Sequence, residues 1–334
     1  MSARGGNAPS GPEGSPMTHA MVSPAPTEAT GSPTPSPRKR RGGVGRRDLA
    51  SALGFLAPNL LGFLVFTIIP IGASLLLAFY EWPLLGDAVF TGVDNFVRLF
   101  TQDPVFWQIV GNTLYFVVGY VLLNLIVSLT MAIWLTSHVK WKGFLRFVFF
   151  LPVVSPMVAN AVVWRLLYTP DDGLIAWLFQ TFTGTSGPNW LGSSEWAMPA
   201  VILMSVWAGF GYNMIIFIAG IEGIPSSLYE AAAIDGAGWW SRLFRITLPM
   251  LTPSLFFATV MTIISSLQVF AQPFILTGGG PGSSTTTLVF YLYQKGFQAY
   301  EMGYASAIAW SLFVLIMFIT VLQFRSQRKW VHYS

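Results

Sequence analysis

Downstream of residue 48 the chain alternates six long apolar stretches with short polar connections. The stretches run from about Leu53 to Tyr80, Trp107 to Leu135, Phe144 to Tyr168, Trp196 to Gly220, Met250 to Leu276 and Tyr304 to Phe324. A helix needs about 20 mostly apolar residues to cross roughly 30 Å of hydrocarbon, and each stretch reaches that length. Trp82, Trp107, Trp141, Trp196 and Trp330 fall near the predicted ends, where an amphipathic ring favours the membrane–water interface. The pattern predicts an all-α membrane protein with about six transmembrane helices over residues 49–330.

The first 48 residues differ in kind. They are rich in Gly, Pro, Ser and Thr and nearly free of large apolar residues. Such a segment cannot bury enough surface to offset its ordering entropy, so residues 1–48 are expected to be a disordered tail. No apolar run follows the first basic residues as a signal peptide would require. The cluster Arg38, Lys39, Arg40, Arg41, Arg46 and Arg47 reads either as a nucleic-acid or partner-binding tail or as an anchor on anionic headgroups. Its place just ahead of the first apolar stretch favours the anchor.

Composition agrees with the pattern. The 334 residues are 53% hydrophobic and 10% charged, where a soluble domain carries roughly 25% charge. Lipid must therefore solvate much of the surface. Lys and Arg mark cytoplasmic connections. Seven lie in the tail, Lys140, Lys142 and Arg146 about the second connection, Arg242 and Arg245 in the fourth, and Arg325, Arg328 and Lys329 at the C-terminus. Only Arg98, Arg165 and Lys295 fall on the other side. A bias that alternates at every crossing predicts an even number of spans with both termini cytoplasmic. The net charge of +4 is concentrated near the N-terminus, which is not the footprint of a nucleic-acid binder. There are no cysteines, which excludes disulfides, thiolate metal sites and cysteine nucleophiles. His19, His138 and His332 are scattered, so no metal site is expected.

Pro58, Pro70, Pro152, Pro156, Pro199 and Pro273 lie within spans. Proline kinks a helix, and a membrane tolerates this where protein or a water-filled cavity pairs the freed carbonyl. The prolines suit either a bundle that rearranges or ordinary membrane-helix composition. The connection at residues 221–249 is more informative. Ser227 and Glu230 have capping-box spacing, Leu228 to Ala233 favour helix, and Asp235-Gly236 signals a stop and a turn. A second short helix is predicted from Trp239 to Phe244. Pro249 is expected in the opening turn of the fifth span, where its missing N–H costs little. The product is a helix–turn–helix on the cytoplasmic face that offers apolar knobs and a few charges to a partner.

This connection resembles the signature loop of the membrane subunits of binding-protein-dependent ABC importers. Glu230-Ala231-Ala232, Gly236 and Ile246-Thr247-Leu248-Pro249 stand at the family's spacing. Capping and turning alone would account for Glu230 and Gly236, but not for the distant Ile-x-Leu-Pro element. The resemblance implies the type I ABC importer permease fold and a multi-pass location in the bacterial plasma (inner) membrane. It also implies that Glu230, Ala231, Ala232, Gly236, Ile246, Leu248 and Pro249 dock into a cleft of a separate ATP-binding cassette ATPase dimer and transmit its closure.

A second resemblance narrows the family. Gly92-Val-Asp-Asn-Phe96, Asp103-Pro-Val-Phe-Trp107, Asn112-Thr113, the run Leu276 to Leu288, Tyr291-Leu-Tyr293 and Gly303-Tyr-Ala-Ser-Ala307 are similar to carbohydrate-importing permeases of the maltose and glycerol-phosphate type. The match spans roughly residues 50 to 330. It lacks the additional N-terminal spans and large periplasmic insertion of the maltose system's own first permease. The implied partners are a second, homologous permease, the ATPase dimer, an extracytoplasmic solute-binding protein and membrane lipid, with no nucleic acid. The implied cargo is a sugar or related polyol. No cofactor is expected on this chain; ATP and Mg belong to the partner ATPase. Gly278-Gly279-Gly280 is followed by Pro281-Gly282-Ser283 rather than the Gly-Lys-Ser/Thr of a P-loop. It therefore reads as a tight outer turn, and the chain is not itself a catalyst.

Polar groups inside a membrane are costly and usually face the bundle interior. Tyr212 and Asn213 in the fourth span and Ser266, Gln268 and Gln272 in the fifth are the candidate pathway residues, with Ser265, Gln268 and Gln272 at helical spacing. Each could instead serve interhelical hydrogen bonding. The main alternative is an ion-coupled secondary transporter, which would bury carboxylates or histidines as relays. The span interiors hold almost none; Glu81 sits at an edge and Arg165 is the clear intramembrane charge. A membrane enzyme is the other class. Asp171-Asp172 are adjacent in an outer loop and point in different directions, as in a solvated turn.

Overall fold

The computed structural model describes residues 46–82, 86–137, 139–185 and 187–327, with side chains from residue 51. The remainder of the basic tail and the last residues, including Arg328 and Lys329, lie outside it. Residues 1–58 form a unit of their own, whose described part is the start of the first helix. The second unit, Asn59–Ser334, carries all the remaining elements.

Helix α1 (Arg46–Phe63) takes in the last three residues of the segment expected to be disordered. It passes through a π-helical turn, Leu64–Ile68, into α2 (Ile69–Leu77). The wide turn lies just ahead of Pro70, which cannot donate to the preceding turn. A two-stranded ribbon follows, β1 (Tyr80–Glu81) antiparallel to β2 (Val89–Phe90), an element the apolar pattern did not announce. It leads to α3 (Asp94–Val97). Buried Asn95 donates from Nδ2 to the carbonyls of Ala78 and Tyr80, each at 3.0 Å, and so pins α3 to the end of α2.

Helix α4 (Phe106–Thr136) is unbroken. The third predicted span is two helices, α5 (Lys142–Val154) and α6 (Met157–Leu167), bent by 97° at Ser155-Pro156. Proline at 156 has no N–H to continue α5 and disfavours helical backbone at Ser155, which sits at φ −70°, ψ 141°. Next come α7 (Leu174–Thr183) and the long α8 (Ala197–Glu222). The connection expected to be cytoplasmic holds α9 (Ser226–Ile234), α10 (Trp239–Arg242), a π turn at Leu243–Thr247 and α11 (Leu248–Met250). The fifth span is α12 (Thr252–Leu267), then a break, then α13 (Ala271–Leu276). After α14 (Leu288–Tyr293) and its π-helical extension, α15 (Met302–Gln327) closes the described chain. Among the described residues four helices are long and apolar enough to cross a membrane, and the number rises to six if each of two bent pairs is one span.

Helices α4 and α8 form the frame. Phe116, Ala200, Val201, Met204 and Ala208 are buried between them and α6. Lipid is as apolar as these side chains, so close fit rather than hydrophobic transfer holds them together. Gly211 of α8 shows how close. A Cβ there would lie 2.5 Å from the Phe149 carbonyl oxygen of α5.

The connections expected to be outer are stapled to one another. Asn112 of α4 donates from Nδ2 to the carbonyls of Ser283 (2.7 Å) and Thr286 (3.2 Å) in the glycine-rich turn. Thr113 Oγ1 accepts from the Leu288 N–H at 3.0 Å. Asp103 accepts hydrogen bonds from the hydroxyls of Tyr291 and Tyr304 and from the Val105 N–H. Arg98 pairs with Glu301 at 3.0 Å and lies 4.3 Å from the Tyr304 ring centre. Burial works to raise the Asp103 pKa, but the two tyrosine hydroxyls, the Val105 N–H and the charge on Lys295 together hold the carboxyl below its ordinary 3.8.

A depressed carboxyl stabilises the fold above the unfolded-state value and loses that contribution as pH falls through the folded value. Asp103→Asn is therefore expected to lower thermal stability in detergent at pH 7 by about 1 kcal/mol, since partial exposure screens the site. The gap to the wild type should close below about pH 4. A gap that held steady from pH 7 to pH 3 in melting curves would show that the ionised carboxylate is not the stabilising group.

Candidate functional site

The bend in the third span faces a cavity of about 430 Å³ between α4, α5, α6, α8 and α12. Its walls include Tyr120 of α4, Val153, Ser155 and Met157 at the α5–α6 bend, Gly209, Tyr212 and Asn213 of α8, and Met261, Thr262 and Ser265 of α12. None of the lining residues is a carboxylate, histidine, lysine or arginine. Among the described residues no group of three or more His, Asp or Glu converges. The wall is apolar with isolated hydroxyl and amide groups, which suits a neutral, hydroxyl-bearing molecule better than an ion.

At this wall a buried polar network joins three helices. Asn213 Nδ2 donates to Asn124 Oδ1 of α4 at 2.7 Å and to Thr262 Oγ1 of α12 at 2.8 Å. Ser128 Oγ donates to the Phe210 carbonyl at 2.8 Å. Asn124 and Ser128 are fully enclosed.

The second feature is the α9–α11 elbow. Helix α9 starts at Pro225 without a side-chain cap, so the capping box expected from Ser227 and Glu230 does not form. Proline at the N-cap sets the entry, and Ser227 is already inside the helix. The turn is as expected: Gly236 has φ +70°, with nothing within 4 Å of the Cβ it lacks. Backbone conformation, not space, demands glycine here. Arg242 Nε donates to the Ala237 carbonyl at 2.9 Å, and the Tyr229 hydroxyl meets Thr247 Oγ1 at 3.0 Å, so the two arms are tied to each other. Pro249 belongs to α11, before the bend, and not to the opening turn of the span. The helix from Trp239 to Met250 turns by 64° into α12. Ile234, Trp239, Trp240 and Phe244 remain exposed on the elbow. At the same end of the bundle Arg146 of α5 pairs with Glu222, the last residue of α8, at 2.5 Å.

Of the sequence-predicted pathway residues, Tyr212 and Asn213 line the cavity. Ser266 is buried and donates to the Ile263 carbonyl of its own helix at 2.9 Å. Gln268 caps α12, and Gln272 lies beyond the break in α13. The helical spacing of Ser265, Gln268 and Gln272 therefore does not set them on one face, because the helix ends at Leu267. Tyr120, Asn124, Gly209 and Thr262 were missed. Tyr120 and Asn124 carry a signal in hindsight, polar residues four apart in an otherwise apolar span. Of the residues predicted for coupling, Glu230, Ala231, Ala232 and Gly236 lie on the first arm and turn, and Ile246, Leu248 and Pro249 on the second.

Comparison with known proteins points in one direction. The model of the family described as "Binding-protein-dependent transport system inner membrane component" matches residues 125–332. The chain is 40% identical over 293 residues to the probable ABC transporter permease protein YesP of Bacillus subtilis (strain 168), covering 86% of this chain and 94% of that one. It is 34% identical to the trehalose/maltose transport system permease protein MalF of Thermococcus litoralis, covering 83% and 94%. It is 33% identical to the lactose transport system permease protein LacF of Rhizobium radiobacter, covering 82% and 93%. Among solved structures, a chain of a bacterial ABC transporter involved in the import of the acidic polysaccharide alginate shares the fold. Its TM-score is 0.72 over 85% of this chain and 96% of that one, at 24% identity.

Gly211→Val tests the contact between α5 and α8. The clash is with backbone, which cannot rotate away, so α5 must part from α8. A loss of roughly 1–3 kcal/mol is expected in detergent melting, as for an overpacked core. Unchanged stability would show that α5 is free to shift.

Proposed function

The chain belongs to the binding-protein-dependent transport system inner membrane components, and on that premise we propose that it is the permease subunit of an ATP-driven importer for a sugar or related polyol. Its fold is the type I importer permease fold. A single helix carries the functional argument. Helix α12 begins at the 64° bend that ends the elbow and, farther along, supplies Met261, Thr262 and Ser265 to the cavity wall. Motion of the elbow thus reaches the cavity through one rigid rod.

In this reading Glu230, Ala231, Ala232, Gly236, Ile246, Leu248 and Pro249 dock on a separate ATPase dimer, which holds ATP and Mg and performs the hydrolysis. The exposed Trp239, Trp240 and Phe244 are the apolar part of that contact. A second, homologous permease completes the pathway and an extracytoplasmic solute-binding protein delivers the cargo. The alternating Lys and Arg bias sets the elbow and both termini in the cytoplasm. Tyr212 and Asn213 are the pathway residues best supported by position, with Ser266, Gln268 and Gln272 on adjoining parts of the fifth span. An ion-coupled carrier finds less support, because the cavity offers no carboxylate or histidine relay.

In proteoliposomes holding the full complex, uptake of labelled lactose, maltose or trehalose should require internal ATP and survive ionophores. Uptake that ionophores abolish would return the ion-coupled alternative. The elbow has its own test. Gly236→Val forces a β-branched residue to φ +70° at a cost of roughly 1–2 kcal/mol. The variant should reach the membrane in normal amount yet lose the co-purifying ATPase or hydrolyse ATP without transport. Normal co-purification together with normal transport would remove the elbow from the mechanism.

A further inference from the structure

The amide of Asn213 is held in one orientation, and that orientation leaves one atom unpaired. Asn213 is 3% exposed and lines the cavity. Both hydrogens of its Nδ2 are spent inside the bundle, on Asn124 Oδ1 at 2.7 Å and Thr262 Oγ1 at 2.8 Å. Thr262 fixes the sense. Its hydroxyl has a single hydrogen, committed to the Ala258 carbonyl of its own helix at 2.6 Å, so toward Asn213 its oxygen can only accept. A flipped amide would set oxygen against oxygen. Asn213 Oδ1 is thereby turned away from both partners, has no hydrogen-bond partner of its own and is closed off from solvent. A buried acceptor without a donor is a standing cost. A donor arriving from the cavity side would remove it.

We propose that Asn213 Oδ1 is the acceptor for a hydroxyl of a neutral saccharide, and that Asn124 and Thr262 are positioning residues that hold the amide with that oxygen clear of their own hydrogen bonds. This rests on the import reading above. The hydroxyl follows from polarity, since the unpaired atom accepts and every donor of that amide is used. Neutrality follows from the lining, which offers no counter-charge from this chain to a phosphate, sulfonate or uronate. Because Oδ1 is covered in this arrangement, a ligand hydroxyl must uncover it to reach it. The arrangement that accepts the hydroxyl then gains a bond that this one lacks, and that difference is what a ligand needs in order to shift a conformational balance.

Two measurements decide the matter. In full-length protein labelled with ¹⁵N-asparagine and transferred to D₂O in detergent, both side-chain amide protons of Asn213 should exchange slowly; Asn213→Asp identifies the resonances. Thr262→Val should speed their exchange. Fast exchange in the wild type overturns the orientation. In the reconstituted importer, with lactose, maltose and trehalose as probes, Thr262→Val and Asn124→Leu should raise the half-saturating concentration about tenfold, the equivalent of one lost hydrogen bond. The maximal rate should stay within about twofold, and Thr262→Ser, which keeps the hydroxyl, should restore the wild-type value. An unchanged half-saturation, or a fall in maximal rate alone, overturns the positioning role while leaving the import reading intact. If the wild type takes up none of the three sugars, the hydroxyl assignment falls with the import reading, and slow amide exchange stands as a structural finding only.

Discussion

Inside hydrocarbon every backbone N–H and C=O must find a partner within the protein, and the architecture follows from how this chain meets that demand where its spans break. At the α5–α6 bend Asn160 donates from Nδ2 to the Pro152 carbonyl at 2.9 Å, and the Ser155 hydroxyl takes the Leu151 carbonyl at 3.1 Å. At the end of α12 Ser265 and Ser266 turn their hydroxyls back to the carbonyls of Thr262 and Ile263. Thr287, across the turn, supplies the Val269 carbonyl at 2.8 Å. At the bend before α12, Thr252 Oγ1 donates to the Pro249 carbonyl at 2.7 Å. Each break has its own hydroxyl or amide beside it. Without those groups the bends would leave bare carbonyls in an apolar medium.

Satisfying the breaks locally frees the breaks to be useful. Helices α4, α8 and α15 run unbroken and keep a fixed frame. The α5–α6 bend and α12 supply the rest of the cavity wall. The elbow enters α12 at one bend, and α5 reaches the cavity at another. Near the elbow α5 is held to α8 by Arg146 and Glu222, and farther along α8 by the close approach at Gly211. Each of those charges sits at the unfavourable end of its own helix, a cation early in α5 and an anion at the last residue of α8. Neither is placed for its own helix's stability, so the pair makes sense as a link between helices.

Much of this was legible in the sequence, and the remainder failed for identifiable reasons. Apolar run length located the spans because bilayer thickness is a hard constraint on helix length. It did not reveal that the third and fifth spans bend. Pro152, Pro156 and Pro273 were visible, but proline alone does not say whether a helix kinks gently or stops. The outcome at Ser155-Pro156 depends on Asn160, eight residues from the carbonyl it serves. Helical spacing across Leu267 failed for the same reason, since it assumed a period that the chain abandons. Gly236 was readable because one residue's conformation decides the turn. The capping box was not, because Pro225 already determines how the chain enters α9. Asn95, Asp103, Asn112, Thr113, Tyr291 and Tyr304 all belong to motifs that carried the family resemblance. In the fold they are staples for the connections, and their partners lie as much as 201 residues away, beyond any local pattern.

The polar residues nearest the cavity follow a different logic. An interhelical hydrogen bond in a membrane averages only about 0.6 kcal/mol and rarely exceeds about 2, because the separated helices also find partners. The Asn124–Asn213–Thr262 network is accordingly weak cement, and close packing along α4 and α8 carries the cohesion. Weakness is what the location requires. A network that crosses three helices beside a cavity has to hold one arrangement and still release it when the helices shift. Strong ion pairs there would lock the bundle and would repel or trap a charged cargo. Amides and hydroxyls specify direction at little cost in free energy, so such a network can fix the sense of its hydrogen bonds without locking the helices together.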